Sequence, residues 1–431
     1  MLISTRHCVS GAFRWAALLG CLLGSTLAAA GDDAATQRIL DSQAIFEQAE
    51  DAIFQIRVIH RETGKKSSIG SGFIFDAANR LATNYHVVSQ YIEKPATYRL
   101  EFVGSGGRAG SLKLVGVDAV HDLAIVESDI PLGSPLALAP PPAKGSNLFA
   151  MGNPLDLGLT LAAGTNGGLL DQTDGSRILF SGSLNPGMSG GPTFDQYGRV
   201  AGINVATARN DISFIVPTRY LSRIAIGERA PAEFALLVGD QVADYQRRFL
   251  ERISTADWPS TGFREMRIPE AVSATVRCWD ASPKAEDEHL YRRFSISCEN
   301  ENSIYLSERI EAGKILYEFL WLESDTLEKP RFYRLYRGLN RSRFGSQATE
   351  DEVGRFSCQT RFVDVNNIDF KATLCHRTYK DYAELSDILF TAAMVGKADR
   401  GFIFNLDLHG TDFTAALGLI ERFLTAIAWQ E

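Results

Sequence analysis

From Ala52 to about Ile226 the chain alternates short apolar runs with polar, glycine-rich punctuation. "AIFQIRVIHRETGKKSSIGSGFIFDAANRLATNYHVV" reads as strand, turn, strand, turn, strand. The same texture returns in "YRLEFVG", "GSLKLVGVD", "LAIVES", "NLFAMG", "RVAGINVAT" and "SFIVP". Many short strands in succession predict an antiparallel sandwich or a pair of barrels. Helical spacing appears on both sides of this block. "TQRILDSQAIFEQAED" places Ile39, Leu40, Ile45 and Phe46 at helix-like intervals, and Phe234, Leu237, Val238, Val242, Tyr245, Phe249 and Ile253 repeat the period downstream. Beyond that second helix, "ATVRCWD", "RRFSISCEN", "ILYEFLWLES", "RFYRLYRG" and "FIFNLDL" read as further β runs. A last amphipathic stripe, Phe413, Leu417, Ile420, Leu424 and Ile427, predicts a closing helix.

The expected organisation is therefore a leader over residues 1–30, an N-terminal helix over 31–51, a β domain over 52–228, a linker helix over 229–256, and a β-rich α+β domain over 257–431. The leader carries Arg6 and Arg14 with no acid, then an apolar run ending in Ala28, Ala29 and Ala30. That run is short for a membrane span and has the pattern of a cleaved signal peptide. A lipoprotein site at Cys21 is the alternative. Export predicts a periplasmic or secreted protein without a stable membrane span. The net charge is −8, and removing two leader arginines makes the remainder about −10, which argues against a nucleic-acid partner. Outside the leader the cysteines are Cys278, Cys298, Cys358 and Cys375. They lack metal-type spacing and allow three disulfide pairings, of which the local ones, Cys278 with Cys298 and Cys358 with Cys375, are expected. No cofactor or metal is implied.

The stretch "LNPGMSGGPTF" sets Ser189 among Gly187, Gly190 and Gly191. Glycines there suit positive dihedrals or a close backbone approach, and an exposed serine beside converging N–H groups is a candidate nucleophile. Such a serine needs a base and the base needs an orienting acid. His86 stands where strand-like "RLATN" meets helix-like "HVVSQYIEK", and Asp122 follows 36 residues later at the mouth of an apolar strand. Asp118 is the nearby rival acid. His60, His121, His289, His376 and His409 carry no comparable context and are expected to be structural or solvated. The order His, Asp, Ser is that of chymotrypsin-like enzymes. Gly187 to Gly191 also satisfies the G-x-S-x-G elbow of another hydrolase class, but Pro192 and a strand follow where that fold needs a helix.

At this point "GSGFIF…LATNYHVV", "HDLAIV", "MGNPLDLGLT" and "NPGMSGGPTFDQYGRVAGINVA" resemble the protease domain of the HtrA/Deg serine proteases, within the trypsin-like superfamily. The resemblance spans residues 52–226 and implies a mainly β, two-subdomain antiparallel β-barrel fold. It implies His86 as general base, Asp122 as its orienter and Ser189 as nucleophile, with the Gly187 and Ser189 amides as oxyanion hole. It implies a specificity pocket floored by Ser183 and walled by Ile212, Ser213, Phe214 and Ile215, favouring small or medium aliphatic side chains. Unfolded polypeptides are the implied substrates, and a homo-oligomer stays open. Two departures stand out. Met188 occupies the place where the family usually carries Asn or Asp, and no PDZ carboxylate-binding loop is recognisable after Ile226. The alternative function is a catalytically silent protease fold used as a scaffold or binding module.

Overall fold

Two closed antiparallel barrels of six strands each fill the first half of the chain. The computed structural model describes residues 38–170, 177–205, 213–283, 290–300, 303–340 and 345–430; the expected leader, Ile212 and His289 lie outside them. Helix α1 (Ser42–Ala49) starts later than the sequence pattern suggests, because the Asp41 carboxylate accepts the Ala44 N–H at 2.8 Å and caps it there. The first barrel comprises β1 (Ile53–His60), β2 (Lys66–Ile74), β3 (Arg80–Thr83), β4 (Tyr98–Val103), β5 (Ala109–Asp118) and β6 (Leu123–Ser128), with α2 (Tyr85–Glu93) inserted after β3. It closes in the order β1-β2-β3-β6-β5-β4. The second comprises β7 (Asn147–Gly152), β8 (Thr160–Leu169), β9 (Ile178–Phe180), β10 (Pro192–Phe194), β11 (Val200–Val205) and β12 (Ser213–Pro217). Phe73, Leu123 and Ile125 of the first barrel meet Phe149, Met151 and Ile203 of the second in one buried cluster. Large apolar side chains shared this way fix one barrel against the other, so that loops from both can converge on one cleft.

Helix α3 (Pro231–Thr255) follows, then β13 (Ser260–Phe263), β14 (Met266–Pro269), β15 (Val276–Asp280), β16 (Arg292–Asn300), β17 (Ile304–Ser307), β18 (Ile310–Ala312) and β19 (Ile315–Glu323). The chain continues through α4 (Lys329–Leu339), β20 (Ser357–Val365), β21 (Ile368–Thr378), β22 (Ser386–Met394), β23 (Arg400–Thr411), α5 (Phe413–Ala426) and β24 (Ala428–Trp429). Seven of these strands form one antiparallel sheet ordered β15-β16-β19-β23-β22-β21-β20, while β17 and β18 make a separate hairpin. Disulfides join Cys278 to Cys298 and Cys358 to Cys375, each pair directly opposed across neighbouring strands at an edge of that sheet.

The structure corrects one element. "RFYRLYRG" is not a strand but the body of α4, because Pro330 sits in its first turn and Phe332 and Tyr336, four residues apart, are the side chains buried against the sheet. Arg331, Arg334 and Arg337 face solvent.

The second half is not packed as a body of its own. Residues 39–431 form one compact unit. The first barrel's core continues through Phe234, Val238 and Val242 of α3 into Ile304, Leu306 and Ile310 of the β17–β18 hairpin. The far end of α3, through Phe249, Leu250 and Ile253, belongs instead to the core beneath the seven-stranded sheet. One helix therefore serves two cores.

Candidate active site

Two tight turns in succession shape the Ser189 segment. In the first, Met188 N–H donates to the Asn185 carbonyl at 3.0 Å; Pro186 takes the second position and Gly187, with φ +97°, the third. A turn with proline second and a positive φ third is of type II and selects glycine. A Cβ on Gly187 would also lie 2.4 Å from the Asn153 carbonyl oxygen. In the second turn Gly191 N–H donates to the Met188 carbonyl at 3.1 Å, and Gly190 supplies φ +84°. A Cβ there would meet Ser71 O at 2.2 Å, Thr83 Oγ1 at 2.3 Å and Asn84 N at 3.0 Å. The serine turn of the second barrel thus lies directly against the β3–α2 junction of the first, where His86 begins its helix.

Buried polar side chains hold this contact. Ser71 on β2 donates its hydroxyl to the Gly187 carbonyl at 2.7 Å and accepts the Asn153 N–H at 2.9 Å, while its own N–H donates to the Ser189 carbonyl at 2.7 Å. Asn204 on β11 is fully buried and donates Nδ2 to the carbonyls of Met151 (2.8 Å) and Met188 (3.2 Å). Its Oδ1 accepts the Thr193 hydroxyl. Met188, the residue that departs from the family pattern, is buried among Leu184, Ala201 and Ile215 inside the second barrel.

On the other side of the cleft, His86 Nδ1 and Asp122 Oδ2 are 2.7 Å apart, and the His86 backbone N–H donates to Asp122 Oδ1 at 2.9 Å. One carboxylate thus takes both the ring and the backbone of the histidine, fixing where the imidazole sits. Asp122 is buried and has φ +57°, a left-handed conformation that aspartate tolerates at a cost of order 1 kcal/mol. Asn84 Nδ2 donates to the Asp122 carbonyl at 2.8 Å. Gln241 of α3 clamps the preceding turn from behind, accepting the Ala119 N–H at 3.0 Å and donating to the Val117 carbonyl at 2.9 Å.

The rival acid Asp118 belongs to a different histidine. Its Oδ2 is 2.6 Å from His121 Nδ1 and its Oδ1 accepts the His121 N–H at 3.0 Å. The His121 ring stacks on Tyr220 at 3.7 Å.

The expected pocket residues do not share one face. Ile215 is fully buried in the second barrel, and the Ser213 hydroxyl accepts the Leu184 N–H at 3.0 Å. Strand alternation sends Phe214 the other way, partly buried beside the inter-barrel cluster, and Ser183 is exposed. Among the described residues no acceptor takes the Gly187 N–H. Sequence reasoning missed Ser71, Asn204 and Gln241. Only Asn204 left a trace, a lone amide inside the apolar run "VAGINVA", where burial demands that it be satisfied.

A serine in a tight turn, 4% exposed, a histidine locked onto a buried carboxylate and an unclaimed glycine amide together suit nucleophilic attack on a carbonyl carbon. The family described as trypsin-like peptidase domain matches residues 70–203. Protease Do-like 5, chloroplastic, of Arabidopsis thaliana is 32% identical over 166 residues, 34% of this chain and 50% of that protein. The putative serine protease HhoA of Synechocystis is 34% identical over 168 residues, 34% and 40% of the two chains. A probable periplasmic serine endoprotease, DegP-like, of Marinomonas is 31% identical over 175 residues, 37% of this chain and 35% of that one. The chain spans half or less of the length of these relatives. The crystal structure of Deg5 overlaps 43% of this chain and 94% of its own at 26% identity and a TM-score of 0.38. This chain carries a trypsin-like peptidase domain related to those of the HtrA/Deg serine proteases.

Proposed function

We propose that the protein is an exported serine endopeptidase that cleaves unfolded or misfolded polypeptides through an acyl-enzyme. Residues 52–228 act as the peptidase domain. Ser189 Oγ attacks the scissile carbonyl and passes its proton to His86, whose imidazolium Asp122 stabilises. The Gly187 and Ser189 amides stabilise the oxyanion, a contribution of about 2.7 to 4 kcal/mol per donor in comparable sites. The imidazolium then protonates the leaving amine, and water, deprotonated by His86, releases the acyl group. The His86–Asp122 geometry carries this reading, with the family match over residues 70–203 beside it. Export draws support from the leader pattern and from two disulfides, which persist in oxidising compartments. Covalent labelling by a fluorophosphonate probe, abolished in Ser189→Ala, is the expected result. A folded wild-type protein that takes no label and turns over no unfolded casein is a silent scaffold instead.

A further inference from the structure

His86 has a neighbour from the far half of the chain. The ring of Tyr305, on β17, stands edge-on to the imidazole with centroids 5.9 Å apart and planes at 69°. Its hydroxyl is 3.5 Å from Ser89 Oγ, one turn further along α2. The hairpin grips the same helix at two more points. Tyr85 donates its hydroxyl to the Leu306 carbonyl at 3.0 Å, and Gln90 Nε2 donates to Glu308 Oε1 at 3.0 Å. Ile304, Leu306 and Ile310 share a buried cluster with Val88 and Ile92 of α2. An isolated two-stranded hairpin is marginal by itself, so this one is held in place by what it packs against.

We propose that Tyr305 is a positioning residue for His86: its ring confines the imidazole against Asp122 and keeps water from their hydrogen bond. The inference rests on the peptidase reading and deepens it, because the region after α3 becomes part of the active site. Asp122 alone fixes one edge of the imidazole. A second wall is needed to stop rotation about the side-chain bonds, and an aromatic edge supplies it without competing for a proton. Burial pushes the Tyr305 phenol up to about 12, with the Glu93, Glu308 and Asp122 carboxylates adding to the rise and the Ser89 hydrogen bond opposing it, so it stays neutral there. The Asp122 side chain is 8% exposed and that of His86 26%, so the hydrogen bond lies on the sheltered side of the ring.

The test uses the full chain and three variants, with rates expressed per active site titrated by fluorophosphonate, so that misfolded molecules drop out. Tyr305→Phe keeps the ring and is expected within about threefold of wild-type kcat. Tyr305→Ala should lose about 10- to 100-fold in kcat with little change in KM, the scale of a misplaced catalytic group. Tyr305→Leu preserves apolar bulk for the hairpin and should still lose at least about tenfold. In the proton NMR spectrum the far-downfield His86 Nδ1 resonance should be sharp in wild type and Tyr305→Phe, and broadened by water exchange in the other two. A Tyr305→Leu protein with wild-type melting temperature, kcat and Nδ1 resonance overturns the proposal, as does a Phe variant that falls as far as Ala. A wild type that fails to label overturns the peptidase reading itself, a separate result.

Discussion

Two histidine–aspartate pairs whose acids are four positions apart occur in this chain, and by their hydrogen bonds alone they are nearly indistinguishable. His86–Asp122 and His121–Asp118 are separated by 2.7 and 2.6 Å, and in both the histidine N–H also donates to the partner carboxylate, at 2.9 and 3.0 Å. They differ in what surrounds the ring. His121 lies flat on Tyr220, and its Nε2 is buried with no hydrogen-bond partner among the described residues. His86 opens a helix beside the serine turn, with Tyr305 at its edge. The pairs also differ in span. Asp118 and His121 are three residues apart and close a local turn, whereas Asp122 reaches 36 residues back across the barrel. A short-range pair braces a loop; a long-range pair fixes two elements against each other. The first pair holds the turn on which the acid of the second is mounted.

The largest contrast follows from this division. Asp122→Asn should lower kcat by about 10⁴-fold, because the amide cannot stabilise the imidazolium and favours the wrong tautomer. Asp118→Asn should lower it by less than about tenfold and act mainly through stability. Steady-state rates on a peptide substrate check both, and the reverse ranking would break the comparison. Next, Asn204→Ala removes a fully buried amide, taking a donor from the Met151 and Met188 carbonyls and the acceptor from the Thr193 hydroxyl. A cost of about 3 kcal/mol in urea unfolding is expected, with kcat down about 10- to 100-fold as the serine turn loosens.

Smaller still is His121→Phe, which keeps the stack on Tyr220 and gives up the bond to Asp118. About 1 to 2 kcal/mol of stability should go, with kcat nearly unchanged. The mildest test sits at the far end of the helix that His86 opens. Burial raises Glu93 from 4.5 to about 7, with Glu352, Glu308 and Asp381 adding to the rise and Lys94 opposing it. Folded Glu93 then holds its proton between about pH 4.5 and 7 while the unfolded chain releases it, so stability falls as pH rises through that window and levels off above it. Glu93→Gln should flatten this slope and gain about 1 to 2 kcal/mol at pH 8, allowing for its partial exposure. Urea midpoints at pH 5 and 8 measure it.

Much of the first half was legible in the sequence because local chemistry dictates it. The strand runs of both barrels are short and punctuated, and Pro186 with Gly187, Gly190 and Gly191 spells out two turns. Ser189 stood out by the glycines around it, His86 by its place at a strand–helix junction, and Asp122 by opening an apolar strand. Two aspartates four positions apart could be ranked only in part, since the choice depends on which histidine each can reach. The second half was legible as elements and as two local cysteine pairs, but not as packing. "RFYRLYRG" has aromatic content that suits a strand, and only the pairing of Phe332 with Tyr336 on one face marks it as a helix. Tyr305 left no signal at all: in "IYLS" it is an ordinary strand residue, and its meaning arises from packing against an element some 220 positions earlier.

The two disulfides have a consequence for how long such a molecule lasts. If the proposed reading holds and unfolded segments are the substrate, the protein is its own nearest one, and the outermost strands of a sheet are where a folded chain first frays. Here both outer strands, β15 and β20, are covalently stitched to their inner neighbours, and β20 needs it most, being exposed along most of its length with Phe362 73% in solvent. Fraying at either margin is thereby confined to short lengths until a reductant arrives. On the proposed reading, self-digestion from these margins should quicken once a reductant opens the two bonds, and gel analysis of the protein incubated with and without one measures it.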